Sequence, residues 1–329
     1  MRRLFRLAVQ LRLLVLVVAL IACAPSPRAQ PRSELSSDIA ELWQDPANLP
    51  ARDLYHGPGG ADLKPPSTDG SFEFVAFKTS GTNPGYDVKD ASGRMWSVKL
   101  GIEAQPEVTA SRILWAMGFH QPPHYFVHSF NLTGIDAGVK TNARFRTEQD
   151  QWKATGDWSW YDNPFMNSPQ LRGLVVTQLI LNNWDLKTAN NRLYEATGPS
   201  VEPQRIYMVR DVGASLGHSK QALFFKMLGT IGRQGSKNDI EGFEKQGFIT
   251  KVDGEKVSFD YRGLNQELVD RVTVADVIWA CELMATIPDR QWQAAFTAGA
   301  FPEADTERYI RKIKEKIAQG LALKTIPTR

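Results

Sequence analysis

The chain has 329 residues, 42% hydrophobic and 23% charged, with 39 Lys and Arg against 36 Asp and Glu and a formal net charge of +3. That length buries a full core, as one large domain or two lobes. The near-balanced charge, without a basic stripe, excludes a nucleic-acid-binding reading. Two cysteines, Cys23 and Cys281, exclude a disulfide framework.

Arg2, Arg3, Arg6 and Arg12 precede an apolar run from Leu13 to Ala22. A basic start, a short apolar core and a small residue before the cut predict a secretory signal over 1–22. The run is too short to span a bilayer comfortably. Leu20-Ile21-Ala22-Cys23 resembles a bacterial lipobox, which implies that Cys23 becomes the lipidated first residue of an exported envelope protein. Without residues 1–22 the balance is 35 basic against 36 acidic side chains, so the mature protein is near neutral. Residues 23–71 then read as tether and loop: Pro-, Ser- and charge-rich to about 50, with one short helix over 35–43, and Gly- and Pro-rich over 57–71.

Aromatic and β-branched content predicts strands at 72–78, 86–90 and 95–100, the first two joined by a turn containing Gly81 and Gly85. Lys99 lies near the end of the third. A helix follows, with Pro106 in its first turn and Gly118 just past its end. Glu107 in that helix is the expected partner of Lys99, with Glu103 as rival; Glu107 also suits the helix dipole. Further strands are expected at 124–128 and 138–141. His120, His124 and His128 recur every four residues, but Pro122 and Pro123 break helical phase, so these read as ordinary histidines rather than a metal face.

Trp152, Trp158, Trp160 and Tyr161 read as buried between two halves of the protein, or else as a stacking platform. Ser168-Pro169 opens a helix to 181 with Leu171, Leu174, Val175, Leu179 and Ile180 on an apolar face. It delivers Asn182-Asn183-Trp184-Asp185-Leu186-Lys187-Thr188-Ala189-Asn190. A hairpin over 191–194 and 205–210 then carries Asn190 toward Asp211-Val212-Gly213. Residues 215–263 read as a long loop, and helices are expected at 265–271, 275–286, 289–298 and 306–323, the last with Tyr309, Ile310, Ile313 and Ile317 inward.

An Asp with Lys at +2 and Asn at +5, then a second Asp with Gly at +2, is a layout suited to phosphoryl transfer. One carboxylate accepts a hydroxyl proton, while the Asn carbonyl and the second carboxylate hold Mg²⁺ against phosphates. Each motif alone also reads as a capped turn. The pattern Asp185-x-Lys187-x-x-Asn190 resembles the catalytic loop of the protein-kinase-like superfamily, and Asp211-Val212-Gly213 its Asp-Phe-Gly motif. Trp184 and Val212 depart from the usual residues, and the gap between the motifs is long. These departures are more similar to the atypical branches, such as CotH-type spore-coat kinases, HipA-like, secretory-pathway and lipid kinases.

The resemblance implies an α+β, two-lobed fold. A small antiparallel β lobe with one helix would span 72–150, and a larger, mainly helical lobe 151–329. It implies ATP with Mg²⁺ or Mn²⁺, Asp185 and Lys187 as catalytic residues, Asn190 and Asp211 as metal ligands, and Lys99, Glu107, Gly81 and Gly85 on the nucleotide. It leaves the acceptor open among protein, sugar and small molecule. A non-catalytic binding lipoprotein on the same scaffold, or transfer of AMP instead of phosphate, are the alternatives.

Overall fold

A computed structural model describes residues 38–46, 52–67, 70–79, 83–219 and 235–325. The expected signal segment, Cys23, Gly81 and much of the loop after Ser219 lie outside these residues.

Strands β1 (Ser71–Phe77), β2 (Gly85–Lys89), β3 (Met95–Leu100), β4 (His124–Thr133) and β5 (Gly138–Arg146) form a closed barrel in the order β1-β2-β3-β5-β4. The other pairings are antiparallel, as expected, but β1 runs parallel to β4, with Ser71 opposite Asn131. That pairing turns the expected antiparallel sheet into a barrel and removes its edges. Alternate residues point inward: Phe72, Val88, Trp96, Val98, Phe130 and Phe145 pack as one buried cluster. β5 extends well past the expected segment, and its last four residues alternate Ala143 and Phe145 inside with Arg144 and Arg146 on the other face.

Helix α1 (Ala104–Ala116) follows β3. It ends at Gly118, whose φ of +95° is a conformation open to glycine at little cost. Nearly every residue of α1 is buried.

The tether is shorter than expected. A 3₁₀ turn at Ile39–Glu41 leads to Leu42, fully buried, and Trp43, whose indole donates to the Met117 carbonyl at 2.6 Å. Glu41 pairs with Arg205 at 3.1 Å, and Leu54 is buried in the same core. Two apolar anchors inside a polar stretch dock residues that composition alone assigns to a linker.

A second, three-stranded sheet has the order β6-β7-β8, from Trp152–Gly156, Asn191–Ala196 and Arg205–Val209. The β7–β8 hairpin is the expected one, with Asn191 opposite Val209. Trp158 and Trp160 are buried edge to face, 4.8 Å apart. Helix α2 (Pro169–Ile180) is capped by Ser168, whose hydroxyl accepts from the Leu171 amide at 3.1 Å.

The stretch read as a long loop contains α3 (Ile240–Lys245) and a hairpin of β9 (Ile249–Asp253) and β10 (Lys256–Phe259). Its Asp253-Gly254 turn, with Gly254 at φ +58°, is a hairpin signal hidden by the surrounding Lys and Gly residues. Helices α4 (Gln266–Val269), α5 (Val274–Ala285), α6 (Asp289–Ala298) and α7 (Glu303–Leu321) complete the chain close to the expected bounds. Tyr309, Ile310, Ile313 and Ile317 of α7 are buried. The fold is therefore mixed α+β, and α1 packs on β4, β5 and α6.

Candidate active site

Lys99, near the end of β3, is the centre of an ion cluster. Its ammonium lies 2.8 Å from Glu107 Oε2, 2.8 Å from Asp211 Oδ1 and 3.0 Å from Glu103 Oε2. Sequence reasoning posed Glu103 and Glu107 as rivals, but Lys99 meets both, because they lie one helical turn apart on the same face of the α1 start. Glu107 is fully buried and also faces Arg144 Nε at 2.9 Å and His124 Nε2 at 3.8 Å. Burial pulls the Lys99 ammonium down, but Glu107, Asp211 and Glu103 outweigh it and hold it above its ordinary range. Burial pushes the Asp211 carboxyl up, yet Lys99, with Arg144 and Arg146 beyond, holds it well below the usual carboxylate range. Both are therefore charged at neutral pH.

Gly213 fits this cluster. A Cβ there would lie 2.8 Å from Glu103 Cβ and 3.2 Å from Glu107 Oε2, so only glycine lets Asp211-Val212-Gly213 approach the start of α1 so closely.

The loop after α2 is built by its asparagines. Asn182 adopts a left-handed φ of +54°, and its side-chain Oδ1 accepts from Lys316 of α7 at 2.6 Å. Lys316 also donates to the Ile180 carbonyl at 3.0 Å; it is fully buried, which pushes its pKa well down. Asn183 donates to Gln178 Oε1 at 2.8 Å and accepts from the Asp185 amide at 3.1 Å. Asn182 and Asn183 are thus capping residues whose work is to present Asp185.

Asp185 Oδ2 lies 2.7 Å from Lys187 Nζ. Asn190 donates its side-chain N–H to the Asp185 carbonyl at 2.6 Å, leaving its Oδ1 as the ligand atom it can offer. The Asn190 carbonyl in turn accepts from the Arg210 amide at 2.9 Å, which joins the two motifs.

One cavity of about 1090 Å³ is lined by Asp185, Lys187, Asn190, Asp211 and Lys99 together, and by Gly85. Gly85 sits opposite Lys99 in the β2–β3 ladder, where a Cβ would lie 2.5 Å from the Val98 carbonyl. Its glycine is thus explained by strand packing. Glu107 lies beneath the cavity floor, reaching it through Lys99. The three histidines do not converge: among the described residues only Glu103, Glu107 and Asp211 cluster as acidic or metal-ligating groups. His124 is buried, and burial with Arg144, Arg146 and Arg112 around it pushes its pKa far down, so it is neutral.

Several lining residues were missed from the sequence. Lys237 pairs with Glu103 and stands over the Trp184 ring at 5.4 Å. Arg144, Arg146 and Arg210 add a cationic wall. For the first two the signal was present, as the period-two alternation of Ala143-Arg144-Phe145-Arg146.

No family model matches the sequence, and no curated protein matches it. Among solved structures, the chain is similar to the Helicobacter pylori proinflammatory kinase CtkA, at 14% identity over 77% of this chain and 97% of that one, with a TM-score of 0.43. It is similar also to the Rio2 kinase of Chaetomium thermophilum, solved as an ADP/Mg²⁺-phosphoaspartate complex, at 12% identity over 75% of this chain and 72% of that one, with a TM-score of 0.32. Likenesses this distant leave the reading of the site to its own residues.

Proposed function

We propose that this chain is a kinase-like phosphotransferase of two-lobed design that uses ATP with Mg²⁺ or Mn²⁺. The observation that carries the reading is the convergence of Lys99, Asp185, Lys187, Asn190 and Asp211, from three separate stretches of sequence, on one cavity, with the buried Glu107 holding Lys99. Phosphoryl transfer needs positioned charge more than covalent chemistry, and this cluster supplies it.

In this reading Lys99, fixed by Glu107, holds the donor phosphates, and Lys187 faces the transferred group as a point charge. Asp185 accepts the proton of the attacking hydroxyl, with its orientation set by Asn183 and by its contact to Lys187. Asn190 Oδ1 and the Asp211 carboxylate are hard oxygen donors of the kind a divalent cation takes, and Asp211 stays ionised as such a ligand must. A cation held there neutralises charge on the phosphates as it develops.

The reading is tested by thermal stability of the chain with ATP plus Mg²⁺ or Mn²⁺. A hundredfold excess of nucleotide over its dissociation constant adds roughly 2.7 kcal/mol. The shift is expected to require metal and to vanish in Asp211→Ala. Absence of a shift with any nucleotide favours the binding-lipoprotein alternative.

The proposal also includes an exported, lipid-anchored setting, supported by the basic start and the Leu20 to Cys23 run. Radiolabelled palmitate is expected on the wild-type chain in bacteria and absent from Cys23→Ala; equal labelling of both would remove Cys23 as the anchor.

A further inference from the structure

The cations of the cavity are not all accounted for by the proposed phosphotransfer reading. Among the described residues, eight Lys and Arg but only four Asp and Glu line it. Lys99 and Arg144 share Glu107, and Lys237 takes Glu103. Arg146 has no such partner. It lies one two-residue step beyond Arg144 on the same face of β5, opposite Ser97 as Arg144 lies opposite Lys99. That step is about 7 Å along the strand.

The Arg146 side chain is 8% exposed, its Nε has no hydrogen-bond partner, and its one hydrogen bond is a long 3.5 Å contact from Nη2 to Ser97 Oγ. The nearby carboxylates are occupied, Glu107 by Lys99 and Arg144, Asp211 by Lys99, and Glu148 by Arg210 at 3.2 Å. Burial, with Arg210 and Arg144 adding repulsion, lowers the Arg146 guanidinium to about 9. An arginine in such a place, with its fork unpaired, suits an anion with several oxygens. Arg146 and Arg210 also line a second cavity of about 960 Å³, so they stand where the two spaces meet.

We propose that Arg146, with Arg210 beside it, is a second anion subsite, and that the ligand of this cavity places a phosphate-class group there in addition to the one held at Lys99. The inference rests on the proposed use of Lys99 for donor phosphates. The second anion belongs either to an extended phosphate chain of the donor or to a phosphorylated acceptor.

The probe is inorganic tripolyphosphate, titrated calorimetrically into the full chain and into Arg146→Met and Arg146→Lys. Binding is expected to weaken at least tenfold in Arg146→Met and less in Arg146→Lys, which keeps the charge but loses the fork. Without ligand, Arg146→Met is expected to melt at or above the wild-type temperature, because it removes a buried charge that makes no ion pair of its own. Equal tripolyphosphate binding by wild type and Arg146→Met overturns the proposal. So does a clearly lower melting temperature of unliganded Arg146→Met, which would make the guanidinium structural.

Competition between ATP and tripolyphosphate assigns the subsite to the donor; tripolyphosphate binding beside saturating ATP and Mg²⁺ assigns it to the acceptor. Arg146-dependent binding of tripolyphosphate without an Asp211-dependent nucleotide shift would sink the phosphotransferase reading alone. A nucleotide shift with no effect of Arg146→Met would sink the subsite alone.

Discussion

Replacing Glu107 with Ala is expected to lower the free energy of unfolding by about 3–5 kcal/mol, the range for removing one partner of a buried ion pair. Glu107 is fully buried, and its two oxygens face Lys99 at 2.8 Å and Arg144 at 2.9 Å. Lys99 would keep Glu103 and Asp211, but Arg144 would keep only the Ser97 carbonyl, at 2.8 Å. The stranded charge is thus Arg144. Urea denaturation reads the loss as a lower midpoint at unchanged slope. The double variant Glu107→Met with Arg144→Met is expected to recover part of it, since an apolar pair of similar volume leaves no charge behind. A loss below about 1 kcal/mol, the scale of an exposed pair, would mean that water reaches the cluster and that Glu107 does not hold Lys99 in the way described.

If the proposed phosphotransfer reading holds, Asp185→Asn is expected to lower phosphoryl transfer by about 10²–10⁴-fold, the range for a general base, while leaving nucleotide binding close to wild type. The two effects separate because of how Asp185 is used. Its carboxylate touches Lys187 at 2.7 Å, but the Asn190 side chain bonds its main-chain carbonyl, which the substitution leaves in place. ATP hydrolysis supplies a readout that needs no identified acceptor, and calorimetry with ATP and Mg²⁺ measures binding beside it. Hydrolysis at the wild-type rate would remove Asp185 from its role as base. Loss of binding together with hydrolysis would make it a residue of the scaffold.

What was legible in the sequence was local. Asp185, Lys187 and Asn190 lie within six residues, and their spacing already places them around one turn. Lys99 could be placed because strand content and the Pro106 and Gly118 signals bound a short β–α unit around it. The helices from α4 to α7 were legible from apolar periodicity, α7 above all.

What was not legible depends on pairings distant in sequence. The β1–β4 pairing joins Ser71 to Asn131, and no short-range pattern records it. Lys316 reads as one more charge in the Lys- and Glu-rich α7, yet it is buried under the Asn182 turn, 134 residues earlier in the chain. The packed stretch around Leu42 and Leu54 has the composition of a tether, because two anchors are too few to change an average. Arg144 and Arg146 show the intermediate case, in which a period-two pattern was present but two arginines at the end of a strand look like a solvated edge until the cavity is seen.

Helix α1 has one more consequence. Sliding or rotating a helix that carries a lysine's glutamate partner would make or break the pair. Here that helix is buried along almost its whole length, pressed on one side to β4 and β5 and on another to α6, with Trp43 bonded to the carbonyl of Met117 just past its end. Moving it would mean opening close-packed interior on several sides at once, and such interiors do not deform continuously. The Lys99–Glu107 pair is therefore built into the close-packed core. Anything that separates Lys99 from Glu107 has to loosen that packing as well.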